Sequence, residues 1–133
     1  MTVQTDPDAE RIGLELRNAM FGESLTGQQT SGADPMMAPL QDVVTTTCFG
    51  QTWSRPGLSL RDRSLITVAM LAALGREPEL RTHIRGALSN GVTPDEIREL
   101  AVHTHLYAGL PAAFCAAAAA NDVLTDDEKA ALS

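Results

Sequence analysis

Residues 47–113 read TCFGQTWSRPGLSLRDRSLITVAMLAALGREPELRTHIRGALSNGVTPDEIRELAVHTHLYAGLPAA. The stretch is punctuated as a series of helices. Ser59 is an N-cap with Asp62 three residues on as its capping-box partner, and it opens a helix over 60–74 that Gly75 ends. That helix is apolar nearly all round after Arg63, which predicts a place at the centre of the domain or at a subunit contact. Glu77-Pro78 starts the next helix, closed by Asn90-Gly91 in a left-handed cap. Thr93-Pro94-Asp95-Glu96 combines cap, proline and capping-box acid, and its helix runs to about Tyr107. Gly109 separates it from an Ala-rich helix beginning at Pro111, where Ala113 and Ala116–Ala120 let neighbouring backbones approach closely.

Outward from this stretch, Asp6-Pro7 opens a helix that reaches about Phe21. Residues 22–35 (GESLTGQQTSGADP) are polar and read as a mobile loop able to act as a lid. A further helix is expected over 36–50, and SRPGLS then breaks the chain. Thr125-Asp126-Asp127-Glu128 opens a short carboxy-terminal turn. There is no sustained period-2 alternation of the kind strands require. The expectation is an all-α protein, a compact bundle of about six helices forming one domain over residues 1–133.

Composition narrows the function classes. A chain of 133 residues is long enough for a real core. The net charge of −7 disfavours nucleic acid, whose binding is driven by neutralising phosphates. No apolar run reaches the roughly 20 residues that span a bilayer, so no membrane partner is expected. The amino terminus MTVQTDPDAER lacks a basic and then apolar signal segment, which predicts a cytoplasmic protein. Cys48 and Cys115 form no CxxC pair and no disulfide framework; both are expected to be buried as small hydrophobes.

Glu79 and His83 are four apart on one helix and share a face, beside a core stripe of Leu80, Ile84, Ala87 and Leu88. A carboxylate beside an imidazole raises its pKa and fixes its tautomer, which suits proton transfer near neutral pH. The competing reading is an intrahelical pair on a solvated surface. His103 and His105 are two apart and point away from each other, poor geometry for a shared metal; no metal site is expected.

Four pieces, GQTWSRPGL (50–58), RSLITVAMLAALGR (63–76), ELRTHIRGALSNGVTPDEIRE (79–99) and YAGLPAA (107–113), together resemble the carboxymuconolactone decarboxylase family, within the wider AhpD-like all-helical proteins. The family pattern ELxxHxRxAxxNG is matched by Glu79, Leu80, His83, Arg85, Ala87, Asn90 and Gly91. AhpD-like peroxidase partners carry a Glu, a CxxC and a His. Overlaid on that motif, Ser64 stands at the acid, Arg76 and Glu79 at the two cysteines, and His83 at the histidine. Without those thiols, thiol–disulfide chemistry has neither attacking nor resolving group. The sequence also departs from the decarboxylases. Phe49-Gly50-Gln51-Thr52-Trp53 puts the neutral Gln51 where the family often has a glutamate, and His105 replaces a residue that is usually small and apolar.

The resemblance implies a carboxy-lyase that needs no cofactor. Its substrate is 4-carboxymuconolactone, a small carboxylated lactone of the β-ketoadipate pathway of aromatic-acid breakdown. Loss of CO2 beside the ring oxygen sends electrons into the lactone carbonyl, so the substrate supplies its own electron sink. The protein then binds carboxylates, stabilises an oxyanion and protonates a ring carbon. His83 is the implied proton donor or oxyanion stabiliser, with Glu79 orienting it. Arg55, Arg61, Arg63, Arg76, Arg81 and Arg85 hold six of the ten Lys and Arg residues within one short stretch. Arg55, in the TWSRPGL loop, and Arg85, in the matched motif, are the candidates for carboxylates; Arg61, Arg76 and Arg81 read as solvated or paired with nearby acids. Gln51 and Trp53 are the further substrate-binding candidates, with Trp53 either walling the ring or anchoring the core, and Tyr107 either an oxyanion donor or a packing residue. The family also implies a homo-oligomer, a trimer or hexamer, with sites at subunit junctions. Gln51 and His105 suit a relative acting on another small cyclic carboxylated substrate in secondary metabolism; a non-catalytic binding member is the remaining alternative.

Overall fold

Asp6 and Pro7 begin the first helix as their types predict: the Asp6 carboxylate accepts the Asp8 N–H at 3.0 Å, and α1 runs Pro7–Phe21. The computed structural model describes residues 6–133, so residues 1–5 of the amino-terminal stretch read for a signal segment lie outside the described residues. The chain divides into two compact units, the first ending at Leu58 and the second spanning Ser59–Ser133. Both are helical, and no strand occurs among the described residues.

In the first unit α1 is followed by α2 (Glu23–Gln29), α3 (Ala38–Val43) and a π-helical stretch, Val44–Trp53. Residues 22–35, expected as a loop, therefore contain a helix. Thr26 is buried, Thr30 Oγ1 donates back to the Thr26 carbonyl, and Gln29 is held by Arg17. Arg17 itself is 2% exposed. Its guanidinium donates to Thr45 Oγ1, Gln29 Oε1 and Gln41 Oε1, each at 2.8 Å, and so joins α1 to every other helix of the unit. The helix expected over 36–50 also differs: it changes to π winding at Val44 and continues past Gly50 to Trp53. The reason is contact. A Cβ on Gly50 would lie 2.0 Å from the Ala9 carbonyl oxygen, and one on Gly13 1.8 Å from that of Thr45. The bare backbones of α1 and the π-helix press together there, so Gly50 is a contact point, not a stop.

The second unit holds α4 (Leu60–Leu74), α5 (Glu77–Ser89), α6 (Pro94–Ala108), α7 (Leu110–Val123) and α8 (Asp126–Ala130). With α2, α8 and the π-helix, the described residues form more helical segments than the six expected. The caps are those the sequence spells. Ser59 Oγ accepts the Asp62 N–H at 3.0 Å, and Thr93 with Glu96, like Thr125 with Glu128, forms a reciprocal capping box. Gly75 turns the chain out of α4 at φ 70° and ψ 32°, left-handed geometry that glycine adopts without a Cβ penalty. Val68, Ala72, Leu80, Ile84, Ala87, Ile97, Ala101, Ala116 and Ala119 build the core. α5 and α6 each pack on both α4 and α7, which touch between them. α4 buries only one stripe, Ser64, Val68 and Ala72, and leaves Ile66, Met70 and Leu74 exposed. Its contacts with α5, α6 and α7 give it the central place that was one of its two expected settings.

Candidate active site

Glu79 and His83 lie one turn apart on α5, beside the fully buried Leu80 and Ile84. Glu79 is exposed and His83 half-buried. The carboxylate pulls the imidazole pKa upward, as the spacing predicts, but burial pulls harder, and the net shift is below the ordinary value of 6.5. The expectation of a raised pKa is therefore corrected. Stripping water from the ring penalises its cation more than an exposed carboxylate, screened by solvent, can restore. Burial therefore favours the neutral form of the His83 ring.

Arg85, the second arginine expected at a substrate carboxylate, already meets a carboxylate of the chain. Nη1 and Nη2 donate to the two oxygens of Glu128 at 3.2 and 2.9 Å, and Nη2 also donates to the Val123 carbonyl at 2.6 Å. This fork locks α8 and the end of α7 to α5. Arg85, followed by the Thr125 backbone N–H, holds the Glu128 carboxyl down at about 2, against an ordinary 4.5. A depressed carboxyl pKa contributes stability that is complete above pH 4.5 and is lost as pH falls through that value toward 2. The expected result is an NMR-monitored Glu128 titration near pH 2 in the native protein that rises toward, but stays below, pH 4.5 in Arg85→Gln, where the Thr125 capping box remains; an unshifted midpoint would show that the fork does not exist in solution.

The other cations follow their expected pairing. Arg61 bonds to Glu96, and Arg81 reaches Asp122 at 3.1 Å. Arg76 is exposed at the start of α5. The cysteines do not follow theirs: Cys48 is exposed and Cys115 is half-buried. The Cys115 thiol donates to Glu77 Oε1 at 3.1 Å, a bond to a carboxylate that raises its pKa and holds it as thiol.

Tyr107 is 87% exposed near the end of α6. Its ring lies 5.7 Å from that of His103, and both line a groove of about 570 Å³ between α4 and α6, with Leu65, Ile66 and Leu100. His105 instead faces the groove between α6 and α7, so the two histidines do point apart. α5 and α6 pack chiefly on α4 and α7, and His83 is not among the residues that line the groove holding Tyr107.

The remaining candidates belong to the first unit. Gln51 is exposed on the π-helix, and Trp53 ends it half-buried, stacked on Phe49 with ring centroids 5.3 Å apart. Phe49 in turn meets the edge of Phe21 at 5.7 Å. Arg55 is exposed two residues on, its N–H donating to the Thr52 carbonyl. π-helices recur at functional sites because the extra residue per turn re-aims side chains. Sequence reasoning missed both this winding and the buried Arg17; neither has a periodic signature.

A family model for the carboxymuconolactone decarboxylase family matches residues 38–122, running across both units. The chain is 42% identical to a 4-carboxymuconolactone decarboxylase of Acinetobacter baylyi over 121 residues, covering 91% of this chain and 90% of that one. It is 36% identical to a nitrosuccinic acid decarboxylase of Metarhizium robertsii over 99 residues, 74% of this chain and 69% of the relative. Among the described residues, no helix is long and apolar enough to cross a membrane.

Proposed function

The chain belongs to the carboxymuconolactone decarboxylase family and is a carboxy-lyase, and from that premise we propose that it removes CO2 from 4-carboxymuconolactone without a cofactor, in the β-ketoadipate pathway. The observation that carries this reading is the 42% identity to a 4-carboxymuconolactone decarboxylase over nine-tenths of both chains. The units are taken as one AhpD-like domain because the family match spans them.

The chemistry asks for a donor at the developing oxyanion, and neutral His83 supplies one from a partly dry face, with Glu79 orienting the ring. Because burial disfavours the imidazolium, His83 serves as an N–H donor to the oxyanion, not as a charged acid. Arg85 is spent on Glu128, which leaves Arg55 as the proposed carboxylate binder, with Gln51 and Trp53 as further substrate contacts; these three roles rest on the sequence match. Tyr107 lines a groove that does not include His83, which suits a phenol offered to the His83 site of a neighbouring protomer. That arrangement, with the bare apolar faces of the second unit, supports a homo-oligomer, a trimer or hexamer with sites at subunit junctions.

A second reading, another small carboxylated substrate, is favoured by the relative named for nitrosuccinic acid and by the uncharged Gln51. Ultraviolet-monitored turnover of 4-carboxymuconolactone with CO2 detection separates them. Turnover by the native assembly is the expected result. A folded assembly that leaves this lactone intact, yet releases CO2 from a different carboxylated ring or from the acyclic nitrosuccinate, would replace the first reading with the second.

A further inference from the structure

A groove of about 400 Å³ runs between α6 and α7 and is closed at the α8 end by Lys129 and Leu132. Its floor is Ile97, Ala101, Ala113 and Ala120, all buried, and the alanines leave an open furrow. On α6 the lining runs from Pro94 to His105, roughly 16 Å at 1.5 Å per residue. Leu110 and Phe114 flank the far end, each more than half exposed. That length suits an extended chain, and the volume is in the ordinary range for a site that takes one small molecule.

Charge decides which kind of chain. Acids outnumber Lys and Arg by 17 to 10 in the sequence, yet no Asp or Glu lines this groove among the described residues. The groove between α4 and α6 is the opposite: among the described residues its lining holds Glu96 and Glu99 and no Lys or Arg. Two cations, Arg98 and Lys129, stand toward the α8 end of the first groove. Arg98 is already satisfied, donating to Asp95 at 3.0 Å and to the Ser133 carbonyl at 2.7 Å. Lys129, the chain's single lysine, is half-buried and enters no ion pair among the described residues; its neighbour Glu128 is taken by Arg85. A lysine so placed lays its methylenes on apolar surface and keeps its ammonium at the edge, where it meets the carboxylate of a molecule with an apolar body.

We propose that the groove between α6 and α7 binds a medium-chain fatty acid, its alkyl chain along the alanine floor and its carboxylate on Lys129. A chain of about eight to ten carbons matches the length of the furrow. Among the described residues no part of α5 lines this groove, so the site is separate from the one around His83 and stands whichever substrate His83 serves. Equilibrium dialysis of the full native assembly against radiolabelled octanoate provides the test. The expected result is one octanoate per chain with a dissociation constant on the order of 0.1–1 mM. Acetate, which has the charge without the chain, does not compete, and neither does 4-carboxymuconolactone. Lys129→Gln is expected to weaken octanoate about ten-fold and to leave 1-octanol, the uncharged analogue, unchanged. Ala117 is exposed on α7 and lines the groove, so Ala117→Leu fills the furrow without entering the core; it is expected to weaken both ligands about ten-fold or more. Circular dichroism checks that both variants fold. A native assembly that takes up no octanoate, as when a second copy covers the groove, would overturn the site. Equal octanoate affinity in the native protein and Lys129→Gln, or displacement of octanoate by the lactone, would overturn it as well.

Discussion

His83→Ala lowers kcat for 4-carboxymuconolactone by about 10²–10³-fold, the usual loss when one oxyanion donor is removed from a partly desolvated site. The helix survives the change, because Leu80, Ile84 and Ala87 hold α5 in the core and His83 lies on the stripe beside them. His83→Asn, which keeps an N–H donor, recovers part of the loss. The pH profile supplies a readout that packing alone does not move. Burial lowers the His83 pKa, so the neutral ring persists through neutral pH and kcat stays level there; it falls only as pH drops below the ordinary 6.5. The same shift is a stability contribution with a definite sign. The unfolded chain binds the proton more readily, so the contribution is complete above 6.5 and is lost as pH falls from there to the folded value. Turnover of His83→Ala within about two-fold of the native enzyme would remove His83 from the chemistry.

The parts of this fold that were legible are those written in local backbone chemistry. Asp6, Ser59, Thr93 and Thr125 cap the helices they were expected to cap, and Gly75 and Gly91 leave theirs at positive φ. The core stripe of α5 follows from a 3.6-residue period, which any sequence shows on its face. What escaped depends on partners far along the chain. Polar residues 23–29 look like a loop, yet they fold as a helix because a buried arginine twelve positions earlier takes Gln29. The balance at His83 escaped for a related reason. Spacing shows the neighbouring carboxylate, but the depth of burial that outweighs it is a property of the packed helix. Arg85 fits the family pattern and reads as a substrate ligand, while its acid partner stands 43 positions away in a turn that looked incidental.

Gly50 is the residue whose role changes most between sequence and structure, and it sets the second large prediction. In a sequence, glycine after an apolar run marks a helix end. Here it is the site where α1 crosses the π-helix, with Gly13 as its counterpart. In each case the atom that an added methyl would strike is a backbone oxygen, at 1.8 Å for Gly13 and 2.0 Å for Gly50, and the struck backbone cannot rotate aside. The helices must separate, loosening the Arg17 bonds to Thr45 and the aromatic stack of Phe49 on Trp53. Overpacking typically costs 1–3 kcal/mol where side chains can adjust; with backbone on both sides the expected loss is about 3 kcal/mol or more for Gly13→Ala, a large share of a domain's total. Gly27→Ala is the matched control. It lies in α2 with nothing within 4 Å of an added Cβ, so lower unfolded-state entropy should stabilise it by about 0.5–1 kcal/mol. Thermal melting of the assembled protein reads both, with a fall of about 10 °C or more for Gly13→Ala and a small rise for Gly27→Ala. Because Gln51 and Trp53 ride on the same π-helix, substrate affinity should fall with Gly13→Ala even at temperatures where the protein stays folded. A Gly13→Ala protein that melts like the native one would mean that α1 and the π-helix do not meet as closely as this seam requires.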